Sequence, residues 1–548
     1  MGSVAKSKSS AGIEFGTSIG IQQLLTPTAI SALPASLSSA IPGAAVNGMR
    51  LVIRVYNHTA TGTITVTGKA PGSQGAVTET TTTLALPDEA SGYVDYTTTA
   101  VFGSVDSSGV AIGSGLTNGT VVIYGVQAAS RLLVGESKLH DKYTNVSPYL
   151  QTGIYVKDQK DIRTTGDPEW EFTGPLMANQ MLLWLLTGYS SNLTYTTVPA
   201  SPTALHASAT AVTSGNESAT SQPTAPGMII QIVLGGAPTT AATVTVTGTI
   251  ITGESITETV VASTLTAGTY YSKNVFTSIA TNGIAWGSYG GTATVTVNGI
   301  FCASISTATP AADSMQTFVL ENYDSTASKV ASGCLTDEWS IEGGLNKEAK
   351  VSAKGKCQAI YKVGNVTSST NQVTNTSLEP ENALTGWQTL AYIDDLSSTT
   401  GTTLQTDVID YKFTMKPMWK TLHKSAFNPP YEIWSAAYLN YREAELEMNF
   451  DMTQATYYTE YVAFSRKRFR NIRIWVRGTA GYGVDGGTAY YPGFYLDVVG
   501  KWVEVPEIDW SSGKESVQIK LKLRVFYNSA KAYAWKFTDF CQLAGGWT

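Results

Sequence analysis

The residue types that could do chemistry are few in this chain, and their spacing brings none of them together. Four histidines, His58, His140, His206 and His423, lie far apart, so a metal centre or a histidine-based triad would need a convergence that the sequence does not suggest. Asp394 and Asp395 are adjacent carboxylates. On an extended segment neighbours point opposite ways, so a loop role is expected rather than a shared acid–base site. Cys302, Cys334, Cys357 and Cys541 show no CxxC spacing and read as small buried residues, not as a zinc site or a disulfide framework. The glycine-rich stretch from Gly478 to Gly487 lacks the GxxxxGK[ST] pattern of a phosphate cradle and reads as turns. The expectation is a non-enzyme without a cofactor or metal.

What is patterned is charge. Glu443, Glu445 and Glu447 fall on one face of a strand, and Lys520, Lys522 and Arg524 on one face of another; Glu169 and Glu171 with Lys350, Lys354 and Lys356 repeat the arrangement. If these strands are sheet neighbours, or meet across a subunit junction, opposite charges pair across strands at about 0.2–1 kcal/mol each. Two readings stay open: a solvated outer face, or the wall of a channel that neither grips nor blocks DNA. The most basic stretch, Arg466, Lys467, Arg468 and Arg470, continues to Arg473 and Arg477. It reads as a loop that pairs with acids of a neighbouring subunit in preference to nucleic acid.

The elements that carry these charges are written twice. Ala349, Val351, Ala353, Gly355, Cys357, Ala359 and Tyr361 alternate with polar residues, and a shift of 166 brings the same phase back in Val517, Ile519, Leu521, Leu523, Val525 and Tyr527. That shift also places Glu338 on Glu504. Upstream, Glu169-Trp170-Glu171-Phe172 precedes Pro175 and the apolar run Met181 to Leu186, and a shift of 278 gives Glu447-Met448-Asn449-Phe450, then Thr453 as an N-cap and the run Tyr457 to Phe464. Each copy therefore predicts an acidic strand, a helix, an apolar strand and a basic strand.

A separate repeat spans residues 46–127 and 226–303. Thr63 to Gly68 matches Thr243 to Gly248, and Thr78-Glu79-Thr80 matches Thr257-Glu258-Thr259. Short alternating strands divided by Gly, Asn and Pro turns predict two immunoglobulin-like β-sandwich modules. The expected domains are an arm at 1–45, module 1 at 46–127, the first unit at 128–225 and 304–383 with module 2 inserted at 226–303, and the second unit at 384–548. The stretch 200–226 reads as a linker, and the Pro-broken arm as a segment ordered by a neighbouring molecule.

Composition sets the bounds. A chain of 548 residues exceeds one core; with 43% hydrophobic and 14% charged residues, rich in Thr, Ser, Gly and Val, it is mostly β. A net charge of −6 argues against gripping nucleic acid by phosphate neutralisation. The amino end and the Pro-interrupted stretch after it predict neither a signal peptide nor a membrane span.

The duplicated unit resembles the tail tube, or major tail, proteins of long-tailed, siphovirus-type bacteriophages. The resemblance rests on Glu169-Trp170-Glu171-Phe172, on Gln316 to Tyr323, and on Cys334 to Ser340 running into Lys347 to Tyr361. It implies two tandem tail-tube units of β-sandwich or barrel type, each with one helix, beside the two immunoglobulin-like modules. It also implies a structural virion protein, assembled in the host cytoplasm, whose rings stack into a hollow tail for genome ejection. With two units per chain, three chains would form a pseudo-hexameric ring. The implied partners are other copies of the chain, a tape-measure protein, tail-end proteins and double-stranded DNA passing through without specific binding.

Two other readings are weighed. A secreted or surface β-sandwich adhesin or surface-array protein suits the Thr/Ser-rich modules but lacks an export signal. A carbohydrate-active enzyme, suggested by Trp419, Trp434 and Trp475, needs two facing carboxylates that no spacing supplies.

Overall fold

The structure is a computed structural model that describes residues 10–16, 21–41, 48–58, 60–71, 75–83, 93–127, 131–133, 135–146, 162–166, 168–176, 193–194, 202–224, 227–301, 303–306, 317–323, 328–345, 347–363, 384, 389–416, 419–423, 433–438, 443–451, 454–477, 493–504, 507–509, 518–531 and 533–539. It is mostly β, with one α-helix among the described residues. The helix expected at Met181 to Leu186, the N-cap Thr453 and the turns of 478–487 lie outside the described residues.

The charged strands belong to one antiparallel ladder. Its strands and those beside it are β1 (Glu136–His140), β2 (Glu169–Pro175), β3 (Thr317–Tyr323), β4 (Ser328–Gly344), β5 (Lys347–Lys356), β6 (Val408–Lys416), β7 (Glu443–Asp451), β8 (Arg470–Arg477), β9 (Gly493–Trp502), β10 (Glu507–Asp509) and β11 (Gln518–Val525), with helix α1 (Gln454–Ser465) between β7 and β8. The order across the sheet is β1-β2-β5-β4-β6-β7-β11-β9. It contains the same four-strand sequence twice, β1-β2-β5-β4 and β6-β7-β11-β9, joined where β4 pairs β6. The register repeats too. Trp170 faces Gly355, and shifts of 278 and 166 carry that pair onto Met448 and Leu521, which also face each other.

Strict alternation makes this ladder two-sided. On the inner face Trp170, Phe172, Trp339, Ile341, Phe413, Met415, Leu446, Met448, Leu521 and Leu523 belong to one buried cluster that runs under both halves. At the β4–β6 joint, Trp339, Phe413 and Trp535 meet with ring centroids 5.5–6.4 Å apart. Burying Trp339 alone is worth on the order of 5 kcal/mol as an upper figure, from about 200 Å² at 25 cal/mol/Å².

β4 serves two sheets. Its second half lies between β5 and β6, whereas its first half pairs β3 and Ala359–Val363. Gly333 marks the change of sheet: its φ of +59° suits glycine, and a Cβ there would meet Gln358 Cβ at 3.0 Å. The second sheet continues from Ala359–Val363 through Tyr93–Thr97, Met49–Tyr56 and Thr120–Gln127 to Ile21–Ala29.

Two expectations change here. Residues 46–127 do not stand apart, because Val52 and Val126 share a buried cluster with Val319, Val330 and Tyr361. The amino-terminal stretch is also folded within the chain. Ser10–Gly16 pairs β3, and Leu24, Leu25, Ile30 and Ile41 enter the core beneath Met49–Tyr56. Sequence composition undervalued these few apolar residues, which find their partners far along the chain.

Residues 202–301 form a seven-stranded sheet with its own core around Ile230, Ile232, Val246, Phe276 and Trp286. The stretch expected as a linker supplies the strands Thr203–Thr210 and Gly215–Glu217, and Leu205 and Ala211 are fully buried. Period-two apolar positions are too sparse there to register. The predicted similarity to 46–127 includes a hairpin in shared register. Thr67 faces Thr78, and Thr247 faces Thr257. In both copies the next glutamate, Glu79 or Glu258, accepts backbone N–H groups, from Thr99 and Ala100 or from Lys273 and Asn274.

Candidate functional site: a sheet face of alternating charge

The outer face of the ladder carries charge whose sign alternates from strand to strand. Along one row of directly opposed residues the order is Lys138, Glu171, Lys354, Glu338. Along another it is Lys350, Glu342, Lys412, Glu447, Lys522. His140, Glu169 and Lys356 make a third row, Glu443 faces Lys416, and Glu445 faces Arg524. Both glutamates of the second row are thus flanked by lysines, and the central Lys412 by glutamates. The acidic and basic strands anticipated from the sequence are neighbours within one chain, so the option of meeting across a subunit junction does not apply to them.

The ion pairs are short-range and wet. Lys354 lies 3.2 Å from Glu338, Lys520 3.5 Å from Glu447, and Lys522 3.5 Å from Glu445 and 3.3 Å from Glu504. Glu504 and Glu445 hold the half-buried Lys522 ammonium above its ordinary pKa. Lys142 pairs Glu169, and Lys347 lies 2.9 Å from Asp410. Exposed pairs of this kind contribute about 0–1 kcal/mol each, so the face is not a source of stability. Its chemical character is near-neutral, heavily hydrated and without a concentrated potential of either sign. Across the β4–β6 joint the face dips into a groove of 480 Å³ lined by Glu342, Lys350, Asp410, Lys412, Glu447 and Lys520, among others.

The gap-free shift of 166 fails on the strand next to β5 and β11. Glu338 faces Lys354, but its counterpart facing Lys520 is Glu507; Glu504 bonds Lys522 instead. A bulge at Thr336–Glu338 changes the count. Tyr361 and Tyr527 also part company, the first buried and the second 61% exposed. Within the bulge, burial pushes the Asp337 carboxyl up to about 6, with Lys356 opposing.

The basic run is a helix cap and not a free loop. Lys467 sits at φ +51°, Arg468 N–H donates to Ala463 O at 2.9 Å and Lys467 N–H to Phe464 O at 3.0 Å, which is a Schellman motif closing α1. Arg470 then turns inward. It is 5% exposed and bonds both Glu460 oxygens at 2.8–3.1 Å and Asp395, while Trp502 Nε1 donates to Glu460 at 2.7 Å. Burial raises the Glu460 pKa and Arg470 opposes it. The expected pairing of Arg470 with a neighbouring subunit is therefore corrected: its acids are in its own chain. Arg466, Lys467 and Arg468 remain exposed.

Other polar groups are engaged within the chain, Asp394 in the loop role expected for it and two cysteines buried as expected. Asp394 organises a loop by accepting from Gly401, Thr402 and Thr403 N–H at 2.8–3.2 Å. Cys334 and Cys357, free and buried, lie beside one another, and Cys334 Sγ donates to Ala331 O at 3.6 Å. Arg50 binds both oxygens of Glu321 at 3.0 Å, tying Met49–Tyr56 to β3. The 202–301 sheet docks on β8 through Asn274 to Arg473, and on the turns at Thr400 and Lys531 through Glu254. No local pattern signals such long-range pairs. His206 bonds Glu217 at 2.6 Å, His58 is buried, and His140 is exposed near Glu171. Among the described residues no group of three His, Cys, Asp or Glu is placed to hold a metal, and no helix is long and apolar enough to cross a membrane.

No family model and no curated protein matches this chain. Among solved structures it has a weak likeness to the crystal structure of the infectious bursal disease virus VP2 subviral particle, at 11% identity and a TM-score of 0.11, over 65% of this chain and 80% of that one. A likeness at that level carries no argument about fold or function.

Proposed function

We propose that this chain is a structural virion protein that self-assembles into stacked rings, forming the hollow tail tube of a long-tailed phage and the conduit for its genome. The observation that carries the reading is the β4–β6 joint. Two four-strand ladders of matching register are sewn edge to edge inside one chain, and a ladder that can be extended once this way can be extended again by another copy. Cyclic closure removes the exposed edges and limits growth in the plane. Two tandem tube units per chain make a ring of three chains with pseudo-sixfold symmetry, decorated by the separate 202–301 sheet as an immunoglobulin-like module.

The alternating outer face supports the lumen assignment. A polyanion passing along it meets no basic stripe to bind, and no acidic wall to repel it. A tape-measure protein would fill the lumen before DNA does. The deciding experiment is negative-stain electron microscopy of the purified protein across a range of concentrations. Tubes with a regular axial repeat and a central hole are expected; a protein that stays monomeric at all concentrations overturns the reading.

A further inference from the structure

The internal joint also specifies how a second copy is attached. We infer that the free edge of β10 pairs antiparallel with the end of β1 and the residues after it in another copy, with Asp509 opposite Lys142. This rests on the proposed ring assembly and adds the surface and the register.

The assignment follows from two matched pairs of ladders. Shifts of 272 and 278 carry the Leu139–Trp170 pair onto Tyr411–Met448, and carry Tyr143–Gly166 onto Met415–Ala444. The segment from β1 through Tyr143 is therefore the counterpart of β6. Likewise Glu507 faces Lys520 as Glu338 faces Lys354, and Asp509 faces Gln518 as Ser340 faces Ser352, at shifts of 169 and 166. β10 is therefore the counterpart of the part of β4 that pairs β6. Since Ser340 lies opposite Thr414, subtracting 272 from Thr414 gives Lys142, and adding 169 to Ser340 gives Asp509.

Among the described residues, β1 has a strand only on its β2 side and β10 only on its β11 side. Ile409 O accepts Leu345 N–H at 2.9 Å across the internal joint; its counterpart Ser137 O is already taken by Asn322 Nδ2 at 3.2 Å, so the second copy meets the chain beyond it, at Lys142 to Thr144. With bonded pairs on odd positions of β6, Ser340–Thr414 is a non-bonded pair, and so is Asp509–Lys142, with Cα atoms about 4.5 Å apart. That separation suits a disulfide.

The test is oxidative cross-linking of the full chain. Lys142→Cys/Asp509→Cys and a second in-register pair, Thr144→Cys/Glu507→Cys, are oxidised after assembly and run on non-reducing gels beside the wild type, each single variant and the off-register pair Lys138→Cys/Asp509→Cys, about 14 Å apart by strand rise. A ladder of covalent multimers from both in-register pairs, at least tenfold above the single variants and the off-register pair, is expected. Tubes visible by microscopy under reducing conditions but not cross-linked by either pair overturn the register while leaving the tube reading standing. A wild-type chain that remains monomeric by light scattering overturns both. If the first pair of substitutions blocks folding, judged by circular dichroism, the second decides.

Discussion

Arg473 grips Asp497 with both ends of its fork, Nε to Oδ1 at 2.6 Å and Nη2 to Oδ2 at 3.0 Å, in a pair that is 5% and 0% exposed. Its remaining arm, Nη1, reaches Asn274 Oδ1 at 2.7 Å in the 202–301 sheet. One guanidinium thus joins β8 to β9 and holds a second sheet against them. The Tyr495 ring lies beneath it at 4.5 Å.

Removing the carboxylate leaves a buried cation with one neutral partner. Asp497→Ala is expected to cost about 3–5 kcal/mol, read as a lowered urea midpoint. Asn274→Ala should cost only about 1 kcal/mol while raising hydrogen exchange where the two sheets meet. Equal costs for the two variants would contradict this division of labour.

Gly355 and Trp170 form a small–large pair whose counterparts, Leu521 and Met448, are both of middle size. A Cβ at Gly355 would lie 1.8 Å from Leu335 O and 2.9 Å from Trp170 Nε1, and the Trp170 N–H to Leu335 O bond of 3.0 Å would be displaced. Gly355→Ala should therefore destabilise by about 3 kcal/mol or more through overpacking. Leu521→Ala should cost about 2–5 kcal/mol by opening a cavity. Thermal unfolding of the two variants, with near-ultraviolet dichroism reporting tryptophan packing, separates these mechanisms.

Asp337 gives the fold a pH dependence of defined sign. Its carboxyl titrates near 6 in the folded chain and near 3.8 when unfolded, so between those values the folded state holds more protons. Its contribution is fully present below about pH 3.8 and is lost as pH rises through about 6. Asp337→Asn should flatten that slope and raise stability at pH 7 by up to about 3 kcal/mol. Urea midpoints at pH 4 and pH 7 check it; an unchanged slope in the variant excludes Asp337 as the source.

Lys467 closes α1 in the left-handed region without being glycine. Lys467→Gly should relieve the Cβ crowding and stabilise by about 1 kcal/mol, measured by the denaturation midpoint. A destabilised variant would mean that the lysine side chain supplies more than its backbone conformation costs.

The sequence made the ladder legible where one face is fully buried, because period two is then strict. Ala349 to Cys357, and Ile519 to Leu523, kept their predicted phase, and the shifts of 278 and 166 reappear in the backbone register. The same rule hid the strand Thr203–Thr210, in which the consecutive residues Leu205 and His206 are both buried and break the alternation. It also misplaced Arg470, since a basic run looks alike whether its last member faces water or a buried Glu460. Cys334 and Cys357 were legible as buried cysteines but not as a touching pair, because a bent strand brings them together. The charged rows were readable by sign and face; their neighbours across the sheet emerged only from the pairing.

The alternation of Lys350, Glu342, Lys412, Glu447 and Lys522 has an electrostatic corollary. Charges that change sign every strand, about 4.8 Å, form a grating of period near 10 Å, and the potential above such a grating dies away exponentially over roughly 1.5 Å, far inside the Debye length of about 8 Å. Beyond the first hydration layer, a passing molecule meets a surface that is electrically silent, and added electrolyte has almost nothing left to screen.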